Sequence, residues 1–220
     1  MLWLTILIDF IAIIILLLIA RFLNQIVFKL SITDALINKD NHSIGIQISA
    51  YLFGSLIIIG SVLAGSGEQN IWIAVMWIGI YGVGGILFLN LFSLWGLQII
   101  ISKECLKAIK SGNIAAGIVS AGGYIATSLI IAATVAGDSK GTWDSAVIFF
   151  FIGQISFIII TYIFRLLTAY NDNEEILNGN MAAALSYAGL MIAVGLIVGH
   201  SIEGDFVDYP TSLTAFGKAL

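Results

Sequence analysis

Three ionisable side chains lie within or at the edge of apolar stretches, where such groups can move a proton or bind a cation. Asp9 stands inside the apolar run LTILIDFIAII, and His200 and Glu203 follow another apolar run at a spacing that places both on one helix face. A carboxylate in lipid is costly unless it is protonated, hydrated or paired, with His200, Lys140 or Thr142 as the expected partners of Asp9. We therefore predict a candidate intramembrane polar cluster of Asp9, His200 and Glu203. The alternative is structural: His200 and Glu203 would simply end a helix, and Asp9 would only link neighbouring helices.

The sequence lacks the residues that other kinds of site would need. A single cysteine, Cys105, excludes an internal disulfide and a thiolate cluster, and the two histidines, His42 and His200, are too few to ligate several haems. No Gly-rich phosphate loop, zinc-binding His/Glu pair or Ser–His–Asp order occurs. We expect no catalytic residue, no metal and no cofactor, so the chain is interpreted as not an enzyme. Nine Lys and Arg against 13 Asp and Glu, with no basic run, also argue against nucleic-acid binding.

The composition places the chain in a lipid bilayer. Of its 220 residues, 60% are hydrophobic and only 10% are charged, whereas a soluble domain has about one quarter charged residues. The apolar runs are continuous rather than alternating, which favours helices over a barrel. The sequence therefore predicts an all-α integral membrane bundle of six transmembrane helices, at residues 2–28, 44–64, 71–98, 114–136, 143–167 and 181–202.

An internal repeat organises these six spans. The stretch NIAAGIVSAGGYIATSLIIAATVAGD from Asn113 aligns without gaps on NMAAALSYAGLMIAVGLIVGHSIEGD from Asn180, and a weaker copy begins at Asn41. We interpret the chain as three two-helix repeats, at residues 1–67 (divergent), 68–138 and 139–205, followed by an outer C-terminal tail at 206–220. Because each unit has an even number of spans, the repeats are parallel.

The charges predict an orientation. Seven Lys and Arg residues fall on the side of the long loops and two on the other side, and the positive-inside rule applies to loops of this length. We expect the long loops in the cytoplasm and both termini outside. The first group is Arg21, Lys29, Lys39, Lys103, Lys107, Lys110 and Arg165, and the second is Lys140 and Lys218.

The repeated motif has a physical reading. Asn41, Asn113 and Asn180 are predicted helix N-caps, because asparagine accepts a hydrogen bond from the free N–H groups of a first turn. Small residues follow at helical spacing, with Gly122 and Gly189 at matching positions, and such residues let helices approach closely in lipid. The second, fourth and sixth spans are therefore expected to be the inner ones. Asn90 and Gln154, inside the third and fifth spans, are expected to hydrogen-bond to neighbouring helices.

The motif resembles that of a known family. The forms SGNIAAG–SAGGYIA and NGNMAAA–SYAGLMIA, carried as tandem copies, are similar to the bacterial and archaeal DUF350 membrane proteins. The resemblance is close over residues 103–205 and looser over 31–67, where His42 and Ser43 replace small residues. It implies a multi-pass protein of the bacterial plasma (inner) membrane. It also implies a link to envelope-stress systems of the phage-shock type and to amide-ligase-like partners.

Three functions remain open. The favoured hypothesis is a non-enzymatic membrane scaffold that assembles, as a homo-oligomer or with a partner membrane or peripheral protein, and couples to that partner through its cytoplasmic loops. The alternative is a small-cation or proton channel or transporter lined by Asp9, His200 and Glu203. A membrane enzyme or redox subunit is the third.

Overall fold

The computed structural model describes residues 2–28, 31–65, 70–136, 143–203 and 206–220, which are almost entirely helical. Six helices are long and apolar enough to cross a membrane, and no β-strand occurs in the described part of the chain. This confirms the predicted all-α membrane bundle. The long helices are α1 (Leu2–Phe28), α2 (His42–Gly65), α3 (Ile71–Ile100), α5 (Ile114–Val135), α6 (Trp143–Leu167) and α8 (Met181–Ile202).

The shorter elements were not predicted from the sequence. A π-helical turn (Asp34–Asn38) precedes α2, the short helix α4 (Cys105–Lys110) precedes α5, and α7 (Asp172–Leu177) precedes α8. Each lies in a long loop, where the polar residues hide any apolar period. The predicted unit boundaries at 67–68, 138–139 and 205 lie outside the described residues, as do Lys140 and Thr142.

The six long helices form two rows. Helices α2, α5 and α8 lie side by side with α5 in the centre, while α3 packs against α2 and α5, α6 packs against α5 and α8, and α1 packs against α2 and α3. Within the most apolar stretch of each span, 72% of the residues of α5 are buried, against 11% for α1. The second, fourth and sixth spans are thus the inner ones, as the small residues indicated.

The outer row exposes large apolar side chains that a soluble protein would hide. Trp3 is 83% exposed and Leu18 62%, and similar side chains cover the outer faces of α3 and α6, including Leu91 and Ile159. Contiguous apolar surface of this kind marks a membrane or protein interface. The outer faces of α1, α3 and α6 therefore suit contact with lipid tails.

The tail at residues 206–220 contains a further helix, α9 (Tyr209–Ala219). Asp208 caps it by accepting a hydrogen bond from Thr211 N at 2.8 Å, and Pro210 occupies its first turn. The hydroxyl of Tyr209 donates to Asp144 Oδ2 at 2.6 Å, which raises the pKa of Tyr209 because the carboxylate favours the protonated phenol. The tail predicted at 206–220 is thereby tied to the beginning of α6 and packs on α8.

Candidate functional site

The structure brings together two of the three ionisable residues singled out above. His200 and Glu203 lie at the end of α8, with Nδ1 and Oε2 3.3 Å apart and both side chains mostly exposed. Asp9 is half-buried on α1, and it makes no hydrogen bond or ion pair with any other described residue. Helix α1 packs against α2 and α3, whereas α8 packs against α5 and α6. A functional role for the three residues stays a prediction.

One turn geometry recurs at the beginning of every inner helix. The residue before the capping asparagine has a positive φ: 44° at Asp40, 94° at Gly112 and 88° at Gly179. This left-handed conformation ends one helix and lets the chain enter the next without a longer loop. We call these three features, at residues 40–41, 112–113 and 179–180, the asparagine turns.

The three asparagines cap their helices as predicted. The side-chain oxygen of Asn41 accepts from Ile44 N at 3.0 Å, that of Asn113 from Ala116 N at 3.1 Å, and that of Asn180 from Ala182 N at 3.1 Å and Ala183 N at 3.2 Å. Each bond satisfies N–H groups that would otherwise lack a partner at the membrane edge.

In two of the three asparagines, the side-chain nitrogen also bonds a neighbouring loop. Asn41 Nδ2 donates to the carbonyls of Ile109 and Lys110, the last residues of α4, at 3.3 and 3.1 Å. Asn113 Nδ2 donates likewise to the end of α7, at Ile176 O and Leu177 O, 3.1 and 2.9 Å away. These bonds, which we call the asparagine ladder, tie the three loops into one row at one end of the bundle.

Asn180 ends the ladder within this chain. Its Nδ2 donates to Glu175 Oε2 at 2.7 Å, a residue of the preceding short helix rather than of a following one. The sequence shows three equivalent asparagines, but only the tertiary structure separates the two that bridge loops from the one that does not.

The inner row is held by close approach of backbones. A Cβ added at Gly122 of α5 would lie 2.8 Å from the Cα of Ala188 in α8, and one at Gly195 would lie 2.6 Å from the Cα of Ala126. Between α2 and α5 the same closeness occurs at Gly54, whose added Cβ would lie 3.0 Å from Ser128 Cβ. Small residues therefore replace side-chain packing at both junctions.

Gly189 behaves differently from Gly122 although their places in the repeat match. A Cβ at Gly189 would meet nothing within 4 Å, and the residue is exposed. The packing role predicted for Gly122 is seen within the chain. For Gly189 that role stays a prediction.

A set of buried polar side chains joins α1, α2 and α3. Asn90 Nδ2 donates to the hydroxyl of Tyr51 at 2.7 Å, and Tyr51 in turn donates to Ala20 O at 2.8 Å. Asn24 Nδ2 lies 3.4 Å from Asn90 Oδ1. The prediction that Asn90 bonds a neighbouring helix is confirmed. Sequence reasoning missed Asn24 and Tyr51, although a lone amide in an apolar span is the same signal that identified Asn90.

The second predicted amide also faces a neighbour. Gln154 Nε2 of α6 lies 3.5 Å from Thr127 Oγ1 of α5, at the limit of a hydrogen bond. These groups carry no charge, so their chemistry is to hold helices together, at about 1 kcal/mol or less per bond in a membrane.

A cleft of about 300 Å³ opens beside the first asparagine turn, and its cationic groups already have partners. Lys39 Nζ lies 2.8 Å from Asp34 Oδ2, and Lys110 Nζ donates to Phe28 O at 3.1 Å. Hydrogen bonds from Lys39 and Asn38, with the charge of Lys39, lower the pKa of Asp34. The lining residues are Lys39, Asp40, Asn41, His42, Lys110, Ser111, Gly112 and Ile114. We assign no ligand to this cleft.

Metal-ion chemistry finds no ready donor set among the residues that the structure describes. No three His, Cys, Asp or Glu side chains lie close enough together there to hold an ion. The absence of catalysis, metal and cofactor expected from the sequence stays a prediction.

Comparison with known proteins agrees with this architecture. The model of the family Domain of Unknown Function (DUF350) matches the chain over residues 1–135 and again over 139–217. Two matches to one family model in a single chain fit a repeated structure. No curated protein and no solved structure matches. With both matches together spanning nearly its whole length, the chain belongs to the DUF350 family.

Proposed function

We propose that this protein is a non-enzymatic membrane scaffold that assembles in the plasma membrane and presents its long loops to a partner protein. The observation that carries this proposal is the asparagine ladder. Two asparagine side chains hold the π-helical turn, α4 and α7 in one row at one end of the bundle. Loops that only connected helices would not need four hydrogen bonds to fix them against each other.

The charges along this row give it a distinct pattern. Lys103, just before α4, and Lys107, within α4, are exposed. Glu174 in α7 is exposed too, so a basic segment lies beside an acidic one. Fixed charges of both signs give specificity and faster association with a complementary surface. The proposed partner is a cytoplasmic protein with the opposite pattern. The family resemblance adds envelope-stress components and amide-ligase-like enzymes as the first candidates.

Site-specific cross-linking in cells tests the loop surface. A photoreactive amino acid at Lys107 should give a discrete cross-linked protein, and the charge reversal Lys103→Glu should abolish that product. The matched control carries the photoreactive group at Lys218, on the opposite side in the predicted topology, where no such product should form. Identical products at both positions, or a product indifferent to the charge reversal, would refute the partner-coupling role.

The rival function, conduction of protons or small cations, rests on Asp9. A half-buried carboxylate without a described partner is a candidate by its position in an apolar helix. What weighs against conduction is that Asp9 and His200 belong to helices that do not pack against each other.

Flux measurements decide between the two functions. Liposomes that contain the purified protein should show no more proton or K⁺ flux than empty liposomes, with a known ionophore as the positive control. Flux in the wild type that disappears in both Asp9→Asn and His200→Ala would establish conduction and reverse our choice.

A further inference from the structure

The two junctions inside the inner row have the same register. Aligned on the three asparagines, Gly54 and Ser128 occupy the places of Ala126 and Gly195, and both pairs are in close contact. At the ends of these helices remote from the capping asparagines, Ser61 Oγ donates to Ala132 O at 2.7 Å. The equivalent residues at the next junction, Ala133 and Gly199, also touch. One interface is therefore built twice, from α2 to α5 and from α5 to α8.

Each of the two faces that make this interface is left uncovered once. Helix α2 uses one face to bind α5, and α5 uses the equivalent face to bind α8. The residues of α8 at the equivalent positions are Ala182, Gly189, Ala193 and His200, and all four are exposed. We call this the α8 face. Helices α5 and α8 each use a second face to bind the inner helix that precedes them. The equivalent positions on α2 have no such partner in the chain, and we call them the α2 face. It consists of Ser49, Leu56 and Gly60, which are exposed, and of Gly45, which is half-buried beside Leu36. An added Cβ at Gly60 would meet nothing within 4 Å.

The loops that precede the three capping asparagines also leave one of three equivalent positions uncovered. Ile37, Ile109 and Ile176 share one position in the alignment, yet Ile109 and Ile176 are fully buried while Ile37 is 76% exposed. The carbonyls of Ile37 and Asn38, at the positions that Asn41 and Asn113 bond in α4 and α7, accept no hydrogen bond from a described residue. Asn180, at the other end of the row, is the asparagine that bonds no following loop.

We propose that a second copy of this chain binds head to tail, with the α8 face of one molecule on the α2 face of the next. The row α2–α5–α8 then continues through the membrane from copy to copy. The occupant is a second copy because continuity of an interface already built twice in the chain specifies it. This inference deepens the proposed scaffold function, on which it rests for its biological use, by naming the partner within the membrane.

The register of the internal junctions fixes the contacts of the intermolecular one. Gly189 takes the place of Gly122 and meets Ser49 of the next copy, which stands where Ala188 does. His200 takes the place of Ser61 and Ala133 and meets Gly60. Asn180 reaches the carbonyls at the end of the π-helical turn, and Ile37 becomes covered.

One position makes the intermolecular contact looser than the internal ones. Leu56 stands where Ser128 and Gly195 stand, so Ala193 of one copy meets a larger side chain in the next. The two helices must separate more at this level than α5 and α8 do. Because the two faces differ, the interface is heterologous, and repetition produces a ring or an open row rather than a symmetric dimer.

Cysteine cross-linking in membranes tests the geometry directly. In a Cys105→Ala background, the variant with both Ser49→Cys and Gly189→Cys should form disulfide-linked dimers and larger species on mild oxidation. Each single variant should remain monomeric on the gel, because a head-to-tail contact never brings two copies of one face together. The matched control pairs Gly189→Cys with Ile159→Cys, which is also exposed but lies on α6.

Mass measurement in lipid nanodiscs tests the energetics. The wild type should show species larger than a monomer, and Gly189→Leu should lose them while its thermal unfolding as a monomer is unchanged. A wild type that is monomeric at high protein-to-lipid ratio, or single variants that cross-link as well as the pair, would overturn the head-to-tail contact. Neither result bears on the charged residues Lys103, Lys107 and Glu174, so the partner-coupling role fails only by the experiment at Lys107 described above.

Discussion

At the scale of single residues, the asparagine side chain does two things with its two polar ends. The oxygen caps the helix that the residue begins, and in Asn41 and Asn113 the nitrogen also holds the end of the next short helix. Alanine would lose both sets of bonds. At Asn180, alanine would lose only the cap and the hydrogen bond to Glu175. That bond is exposed, so water competes for it.

This difference predicts unequal effects of the same substitution. Asn113→Ala should lower the free energy of unfolding by about 2 kcal/mol, from about 1 kcal/mol for the cap and a similar amount for the α7 carbonyls left without a donor. Asn180→Ala should cost about 1 kcal/mol. Unfolding of the detergent-solubilised monomer by denaturant measures both. Equal losses would contradict the bridging role of Asn113.

Cys105 permits a prediction on pH. Its side chain is fully buried at the beginning of α4, and burial raises the pKa of the thiol to about 12. Only the thiolate reacts with maleimides and iodoacetamide, so the native protein should be modified far more slowly than a free thiol at pH 7 to 9. The rate should still be rising with pH above about 10, where an ordinary thiol with a pKa of about 8.5 has levelled off. Ser111→Cys, exposed on the same loop, is the fast-reacting control in a Cys105→Ala background.

At the scale of elements, two glycines of one motif occupy different surroundings. Gly122→Leu forces a side chain against the backbone of α8, because even a Cβ there would lie 2.8 Å from the Cα of Ala188. We expect a loss of about 3 kcal/mol, or no folded monomer at all. Gly189→Leu should leave the monomer intact, since its side chain enters open space.

Ile159→Leu is the control for both glycine variants, because it keeps an exposed apolar side chain of equal size on α6. The melting temperatures of the three purified variants test the expectation. If Gly122→Leu melts together with Ile159→Leu, the close contact of α5 and α8 is not what stabilises the inner row.

At the scale of the whole molecule, the orientation in the membrane is a prediction from charge. The loop at residues 103–113 should lie in the cytoplasm and α9 outside, because seven basic residues fall on the loop side and two on the other. In a Cys105→Ala background, a membrane-impermeant maleimide added to intact cells should label Thr211→Cys but label Ser111→Cys only after lysis. The reverse pattern would invert the topology and place the asparagine ladder outside the cell.

The amino-acid sequence by itself determined the number, type and nearly the bounds of the six long helices. Lipid offers no hydrogen bonds to the backbone, so a long apolar run must form a helix whatever its neighbours are. The three capping asparagines and the inner position of the small-residue helices followed from equally local rules. These features needed no knowledge of which helix lies beside which.

The tertiary structure decided everything that depends on neighbours. It placed Asp9 away from His200, because α1 and α8 pack on different helices. It also gave Asn41 and Asn113 their bonds to α4 and α7, formed those short helices, and distinguished Gly122 from Gly189. Residues at matching positions of the aligned motifs differ in the folded chain because the row α2, α5 and α8 has two ends, and the motif does not mark where that row stops.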